Sequence, residues 1–226
     1  REIMIKKTGG AILLGLLLLA LIFSTHVTLL GSGFLIGDGM HVLTYHELVD
    51  DAVALKVKFP NEDDIEAEVV FRDPINNLAI LKLKEPPKVK SRPLVLSGNG
   101  VGPKSESVFT LGYPWTNTMR DQHALLEGSA YFNSTLIELN MNLDTVNSGS
   151  PLFNAKREVV GMVLLQNHAK EAFSVEGPGH FAIPALSLGN ALKAAKINTI
   201  AFPKENLSKE EFILKYRNNI VLIEAI

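Results

Sequence analysis

Asn147-Ser148-Gly149-Ser150-Pro151-Leu152 is the stretch on which the reading of this chain turns. A serine set between Asn and Gly on a tight turn projects its hydroxyl beside backbone N–H groups, the arrangement that presents a nucleophile next to donors for an oxyanion. Apolar runs follow at 151–154 and 159–166 and one precedes at 136–141, so the turn lies between strands. Working outward, runs at 108–113, 123–132 and 179–183 bring this half to six strands. Upstream, 26–30, 32–36, 42–44, 54–59, 66–72 and 78–82 make another six. Short runs broken about every 8 to 12 residues by Gly, Asp, Asn or Pro belong to barrels and sandwiches. Between the halves, Pro86, Pro87, Pro93 and Pro103 with Gly98, Gly100 and Gly102 suit neither helix nor central strand, so 84–107 reads as a connection. The fold expected is mainly β, two six-stranded barrels followed by helices.

The helices are placed at 185–196 and from Lys209 onward, where Ser208 and Glu211 form a capping box. Residues 207–226 read as helical, with Phe212, Ile213, Tyr216, Ile220 and Leu222 forming a face for a partner or for the second barrel. Composition narrows the chemistry. With 22 Lys+Arg against 24 Asp+Glu over 226 residues, the chain lacks the concentrated positive charge of a nucleic-acid binder. Without a cysteine it has neither a thiolate nucleophile nor a Cys-based zinc site. His41, His46, His168 and His180 show no metal-ligand spacing and read as solvated or packed imidazoles. No metal and no cofactor is expected.

One segment departs from the average. No Asp, Glu, Lys or Arg occurs from Thr8 to Gly37, and 9–23 reads GGAILLGLLLLALIF behind Lys6-Lys7. Fifteen helical residues rise about 22 Å, and extending the helix at either end reaches the roughly 30 Å hydrocarbon core. No small-x-small cleavage site follows, so a retained single-pass anchor is read in preference to a signal peptide. The lysines place the N-terminus in the cytoplasm and the remainder in a periplasm or lumen. The expected organisation is an anchor at 1–25, a first barrel at 26–83, the connection at 84–107, a second barrel at 108–184 and a helical segment at 185–226.

The turn stands in series with three other motifs: Gly31-Ser32-Gly33-Phe34-Leu35-Ile36, then Val42-Leu43-Thr44, then Asp73-Pro74-Ile75-Asn76-Asn77-Leu78-Ala79-Ile80-Leu81-Lys82. Leu111-Gly112-Tyr113-Pro114 and Gly179-His180-Phe181-Ala182-Ile183-Pro184 add two more. In this order they resemble the HtrA/DegP branch of the trypsin-like serine proteases. The resemblance covers roughly 31–196. It implies a trypsin-like double barrel with a His/Asp/Ser triad between the halves, trimeric assembly, and a PDZ module that the 30 residues after Lys196 are too few to supply.

Carried over residue by residue, the resemblance keeps the nucleophile as Ser148. It puts Glu47 at the histidine position, with His46 one residue early, and Asn77 at the aspartate position. On a helical turn one residue is a rotation of about 100°, which aims His46 away from Ser148. A serine hydroxyl needs a general base in reach, and the base needs a partner that fixes its tautomer and stabilises its cation. Asn supplies no such charge. In trypsin-type enzymes the Asp-to-Asn change alone lowers turnover about 10⁴-fold. A glutamate, with a reference pKa of about 4.3, is a weak base toward serine. The oxyanion turn Val146-Asn147-Ser148-Gly149-Ser150 departs too, because Val146 and Ser150 replace glycines of the family's turn.

Two readings follow. One is a catalytically inactive trypsin-like pseudoprotease on a single-pass anchor, serving as an interaction or scaffold subunit of a membrane or envelope complex, whose inter-barrel groove holds a peptide. The other is an active serine endopeptidase in which a register shift brings His46 to Ser148, or Glu47 acts as base at low pH. The run Lys82, Lys84, Lys88, Lys90, Arg92, Lys104 reads as a solvated linker, with anionic lipid headgroups as the rival. Tyr113 and Trp115 read as loop aromatics packing on their own barrel, with an interface as the rival.

Overall fold

The computed structural model describes residues 28–60, 62–89, 92, 94–112, 123–165, 173, 179–198 and 207–226. The anchor run, the Tyr113–Trp115 loop and His168 lie outside the described residues. Among the described residues, no helix is long and apolar enough to cross a membrane.

Two closed antiparallel barrels of six strands account for the fold. The first uses β1 (Leu29–Ile36), β2 (His41–Thr44), β3 (Leu55–Lys58), β4 (Ile65–Asp73) and β5 (Leu78–Leu83), closed by β12 (Ile220–Ala225) in the order β1-β12-β3-β4-β5-β2. The second uses β6 (Glu106–Gly112), β7 (Ala124–Asn133), β8 (Leu136–Asn140), β9 (Pro151–Asn154), β10 (Val159–Leu164) and β11 (His180–Pro184), in the order β10-β11-β8-β7-β6-β9. Alternation explains β4: Ile65 and Ala67 turn inward while Glu66 and Glu68 face water, until a bulge between Val69 and Phe71 shifts the register. All six residues of β10 are buried, which suits a strand covered on both faces.

The first barrel corrects two expectations. The runs 26–30 and 32–36 are not two strands: Leu29 to Ile36 is continuous, with Gly31 and Gly33 inside it. A Cβ on Gly31 would lie 2.8 Å from Leu48 Cδ2 and 2.9 Å from Tyr45 Cε1, so this glycine marks a close approach and not a strand end. The sixth strand comes from the other end of the sequence. Residues 220–225, read as helix, form β12 between β1 and β3, with Gly31 opposite Ile223 and Val57 opposite Ile223 on its other side. The reason is steric and apolar: Ile220, Val221 and Ile223 are wholly buried in the gap a five-stranded sheet would leave open.

Helix α1 (Ala185–Ala194) and helix α2 (Lys209–Tyr216) bear out the helices placed by sequence, and Ser208 and Glu211 make the capping box. Phe212 buries its ring against Phe109 and Phe153 of the second barrel, at centroid distances of 6.2 and 5.2 Å, and Tyr216 stacks on Phe212 at 4.6 Å. Fully burying such a ring stabilises by about 2 to 3 kcal/mol. His123 Nε2 meets the Ile220 carbonyl at 3.0 Å where α2 gives way to β12. Residues 207–226 thus strap the barrels together, docked on the second by α2 and inserted in the first by β12.

Candidate functional site

The turn that carries Ser148 is built by contacts with the first barrel. Thr145–Asn147 form one turn of 3-10 helix, η2, and Gly149 follows Ser148 at φ +92°. A Cβ on Gly149 would stand 1.9 Å from the Ser32 carbonyl oxygen, so only glycine fits. Ser32 grips the turn from β1: its N–H donates to the Ser148 carbonyl at 2.8 Å and its hydroxyl to the Val146 carbonyl at 2.5 Å. Thr44 Oγ1 donates to the Ser32 carbonyl at 2.8 Å, tying β2 to the same point. Asn147 Oδ1 accepts from the Asp144 N–H at 2.7 Å, and its amide packs where a side chain on Gly112 would sit.

Ser148 itself is wholly buried. Its Oγ accepts from the backbone N–H of Leu165 at 3.0 Å, and among the described residues no imidazole is bonded to it. Its own N–H donates to the Thr145 carbonyl at 3.3 Å. A donor turned into its own 3-10 turn is not aimed at an incoming oxyanion. Val146 explains the turn: it is not among the described residues at positive φ, and takes its place in η2 instead of the glycine-like conformation. Ser150 fits less comfortably, since its buried hydroxyl has no hydrogen-bond partner among the described residues.

On the same strand β1, η1 (His46–Leu48) packs through Leu48 beside Gly31 and carries the residues that the family resemblance sets at the base position. Glu47 and Asn77 hold each other reciprocally: Asn77 Nδ2 donates to Glu47 Oε1 at 3.0 Å, and the Glu47 N–H donates to Asn77 Oδ1 at 3.1 Å. The Asn77 carbonyl also accepts the His46 N–H at 3.2 Å. Asn77 takes φ +50°, a left-handed conformation that Asn tolerates better than most residues. A carboxylate thus faces an amide at the two positions where the family resemblance expects an imidazole and a carboxylate, with the amide of Asn77 as donor and the carboxylate of Glu47 as acceptor. His46 turns aside, its Nε2 3.3 Å from Asp50 Oδ1. Tyr45, buried beside them, has its phenol pushed well above its usual range by burial and by the Glu47 carboxylate.

The sequence named Ser148, Glu47, Asn77, His46, Val146, Asn147 and Ser150. The structure pairs Glu47 with Asn77, gathers Val146, Asn147 and Ser150 around Ser148, and directs His46 to Asp50. Sequence reasoning missed Ser32, Thr44 and Leu165, which fix the turn. Two stood in motifs already quoted, whose role as a clamp only the three-dimensional contact reveals. Among the described residues no group of His, Asp and Glu could hold a metal ion. A separate groove of about 670 Å³ runs between the connection and α1, lined by Leu96, Asn99, Phe132, Leu136, Leu186 and Lys193, and includes neither Ser148 nor Glu47. The basic run resolves in part into ion pairs, Lys84 with Glu66 at 2.7 Å and Lys88 with Asp63 at 3.5 Å.

The chain is 32% identical over 139 residues to a probable periplasmic serine endoprotease, DegP-like, of Pseudomonas putida, an alignment covering 59% of this chain and 28% of that protein. It is 29% identical over 178 residues to the protein so described from Pseudomonas savastanoi, covering 74% of this chain and 35% of the relative. An uncharacterised protein of Sinorhizobium fredii, y4bJ, is 26% identical over 181 residues, covering 76% and 28%. The chain therefore spans about a third or less of these relatives. Among solved structures it shares its fold with the inactive form of Rv3671c from Mycobacterium tuberculosis, a serine-to-alanine mutant, at a TM-score of 0.55 and 19% identity, covering 75% of this chain and 82% of that one. The family pattern itself extends over residues 31–162, from the β1 glycines through the Ser148 turn into β10. With more than half its length so matched and two six-stranded barrels meeting at that turn, the chain belongs to the trypsin-like peptidase domain family, with HtrA/DegP-like relatives.

Proposed function

We propose that this chain is a membrane-tethered, non-cleaving member of its family, acting as a protein-interaction or scaffold subunit of a membrane or envelope complex. One observation carries the reading: the Ser148 hydroxyl is engaged by the Leu165 N–H while Glu47 and Asn77 satisfy each other at the base position. Hydrolysis needs a base that takes the serine proton and returns it to the leaving amine. Here the hydroxyl meets a donor, and the carboxylate is occupied by an amide. The tether is supported by the uncharged run 9–23 behind Lys6 and Lys7, which orients the barrels to the outer side. The Pseudomonas relatives' description as periplasmic agrees with that side. The partners proposed are the bilayer, other membrane or envelope proteins, a peptide in the inter-barrel groove and further copies of the chain.

The retained Ser148-Gly149 geometry favours the second reading, an endopeptidase using Ser148 with His46 or Glu47. A fluorophosphonate probe separates the two. The scaffold reading expects no labelling of the detergent-solubilised chain, and membrane partners that co-purify equally well with Ser148→Ala. Stoichiometric labelling at Ser148 that disappears in His46→Ala or Glu47→Gln would establish the endopeptidase instead.

A further inference from the structure

The end of the first barrel where β1 begins carries apolar side chains that the fold leaves uncovered. Leu29, Leu30 and Val53 are 49%, 39% and 74% exposed. They converge on the end of β12: Leu29 lies opposite Ala225, Leu30 lies opposite Glu224, and the Val53 N–H donates to the Ile226 carbonyl at 2.7 Å. The strand that opens this patch is also the one that leaves the apolar run. Residues 24–28 alone separate Phe23 from Leu29. Fully extended, that interval spans about 20 Å. A membrane-embedded run therefore keeps this end of the barrel at the bilayer surface, where exposed leucine and valine gain by leaving water.

We propose that Leu29, Leu30 and Val53 rest in the interfacial layer of a net-neutral phospholipid bilayer, so that the first barrel stands on the membrane instead of hanging from it. The proposal rests on the tethered reading above and adds the face that touches lipid. Charge selects the lipid. Glu224, opposite Leu30, is paired with Lys58 at 2.6 Å and lies opposite Lys56 on its other side, while Asp50, bonded to His46, and Asp51 precede Val53, so charges of both signs border the patch with no surplus of cations to draw it to an anionic surface. Lys84 and Lys88 are already paired with Glu66 and Asp63. The geometry also brings the site near the surface, because η1, with Glu47, packs through Leu48 against Gly31, two residues along β1 from Leu29.

The absence of cysteine makes the test direct. Single variants Leu30→Cys, Val53→Cys and, on α2, Leu214→Cys at a 65% exposed position would carry a nitrobenzoxadiazole label on the full chain in phosphatidylcholine vesicles. Doxyl-labelled phosphatidylcholine is expected to quench the labels at 30 and 53 and to leave that at 214 bright. Equal brightness at all three, with the chain sedimenting with the vesicles, overturns the docking face and leaves the tether standing. A chain that stays in the supernatant overturns both. Quenching that requires phosphatidylglycerol contradicts the net-neutral assignment. A signal at 53 that follows protein concentration and ignores doxyl lipid gives the patch to a second copy, against the proposal.

Discussion

The Ser148 turn and the Glu47–Asn77 corner both lean on β1, the first through Ser32 and the second through Leu48 beside Gly31, yet the first keeps the serine expected from the family resemblance and the second carries Glu and Asn where that resemblance expects His and Asp. At the turn, every position is pinned by backbone: Gly149 has no room for a Cβ, Ser32 donates twice, and the Ser148 hydroxyl accepts the Leu165 N–H. At the corner, the exchange is mutual, with carboxylate and amide satisfying each other as neither would alone. The contrast teaches that a conserved-looking serine can be held by packing. Ser148 has structural work whether or not it attacks a carbonyl, whereas Glu47 and Asn77 are held by each other's side chains.

Substitutions sharpen that contrast, and the largest effect belongs to the turn. Gly149→Ala drives a methyl into the Ser32 carbonyl at positive φ, and should cost about 4 kcal/mol in urea denaturation or prevent folding. An Ala variant of wild-type stability would mean the turn is looser than its contacts indicate. Next comes Asn77→Asp, which sets two carboxyls about 3 Å apart and should cost about 1 to 3 kcal/mol at pH 7. The sign is testable. One carboxyl of the folded pair then has a raised pKa, so the penalty grows as pH rises through the carboxyl range and shrinks toward pH 4; a penalty independent of pH would break the comparison.

Ser148→Ala should destabilise by about 1 to 2 kcal/mol, because the Leu165 N–H loses its buried acceptor. Were the serine instead a strained nucleophile, removing its hydroxyl should leave stability unchanged or raise it. The smallest effect concerns the strap. Burial pushes the His123 imidazole below its usual pKa, opposed by its bond to Ile220 and assisted by Arg217. The unfolded chain then takes up the proton first, so stability falls as pH drops below about 6.5. His123→Gln should flatten that slope between pH 7 and 5, as thermal denaturation would show.

Legibility followed the range of the contacts. The helix cap at Ser208 and Glu211 is a local pattern and was readable to the residue. The six strands of the second barrel were readable to within two residues at either end, because each carries its own apolar run and turn. The closing strand of the first barrel was not. Ile220 to Ala225 finds its partners β1 and β3 more than 160 residues upstream, and nothing local distinguishes a strand filling that gap from the end of an amphipathic helix. Gly31 misled for a related reason: its neighbours Tyr45 and Leu48 require a glycine that sequence alone reads as a break. At the site, Val146 signalled an altered turn. The reciprocal bonding of Glu47 and Asn77, thirty residues apart, needed the fold to bring them together.

The account stands or falls on whether a proton can leave Ser148 Oγ for a neighbouring base. Incubating the purified full-length chain with casein, at pH 5 and at pH 8, measures this directly. The account predicts no cleavage above the background of Ser148→Ala at either pH. Cleavage that vanishes in Ser148→Ala would contradict it.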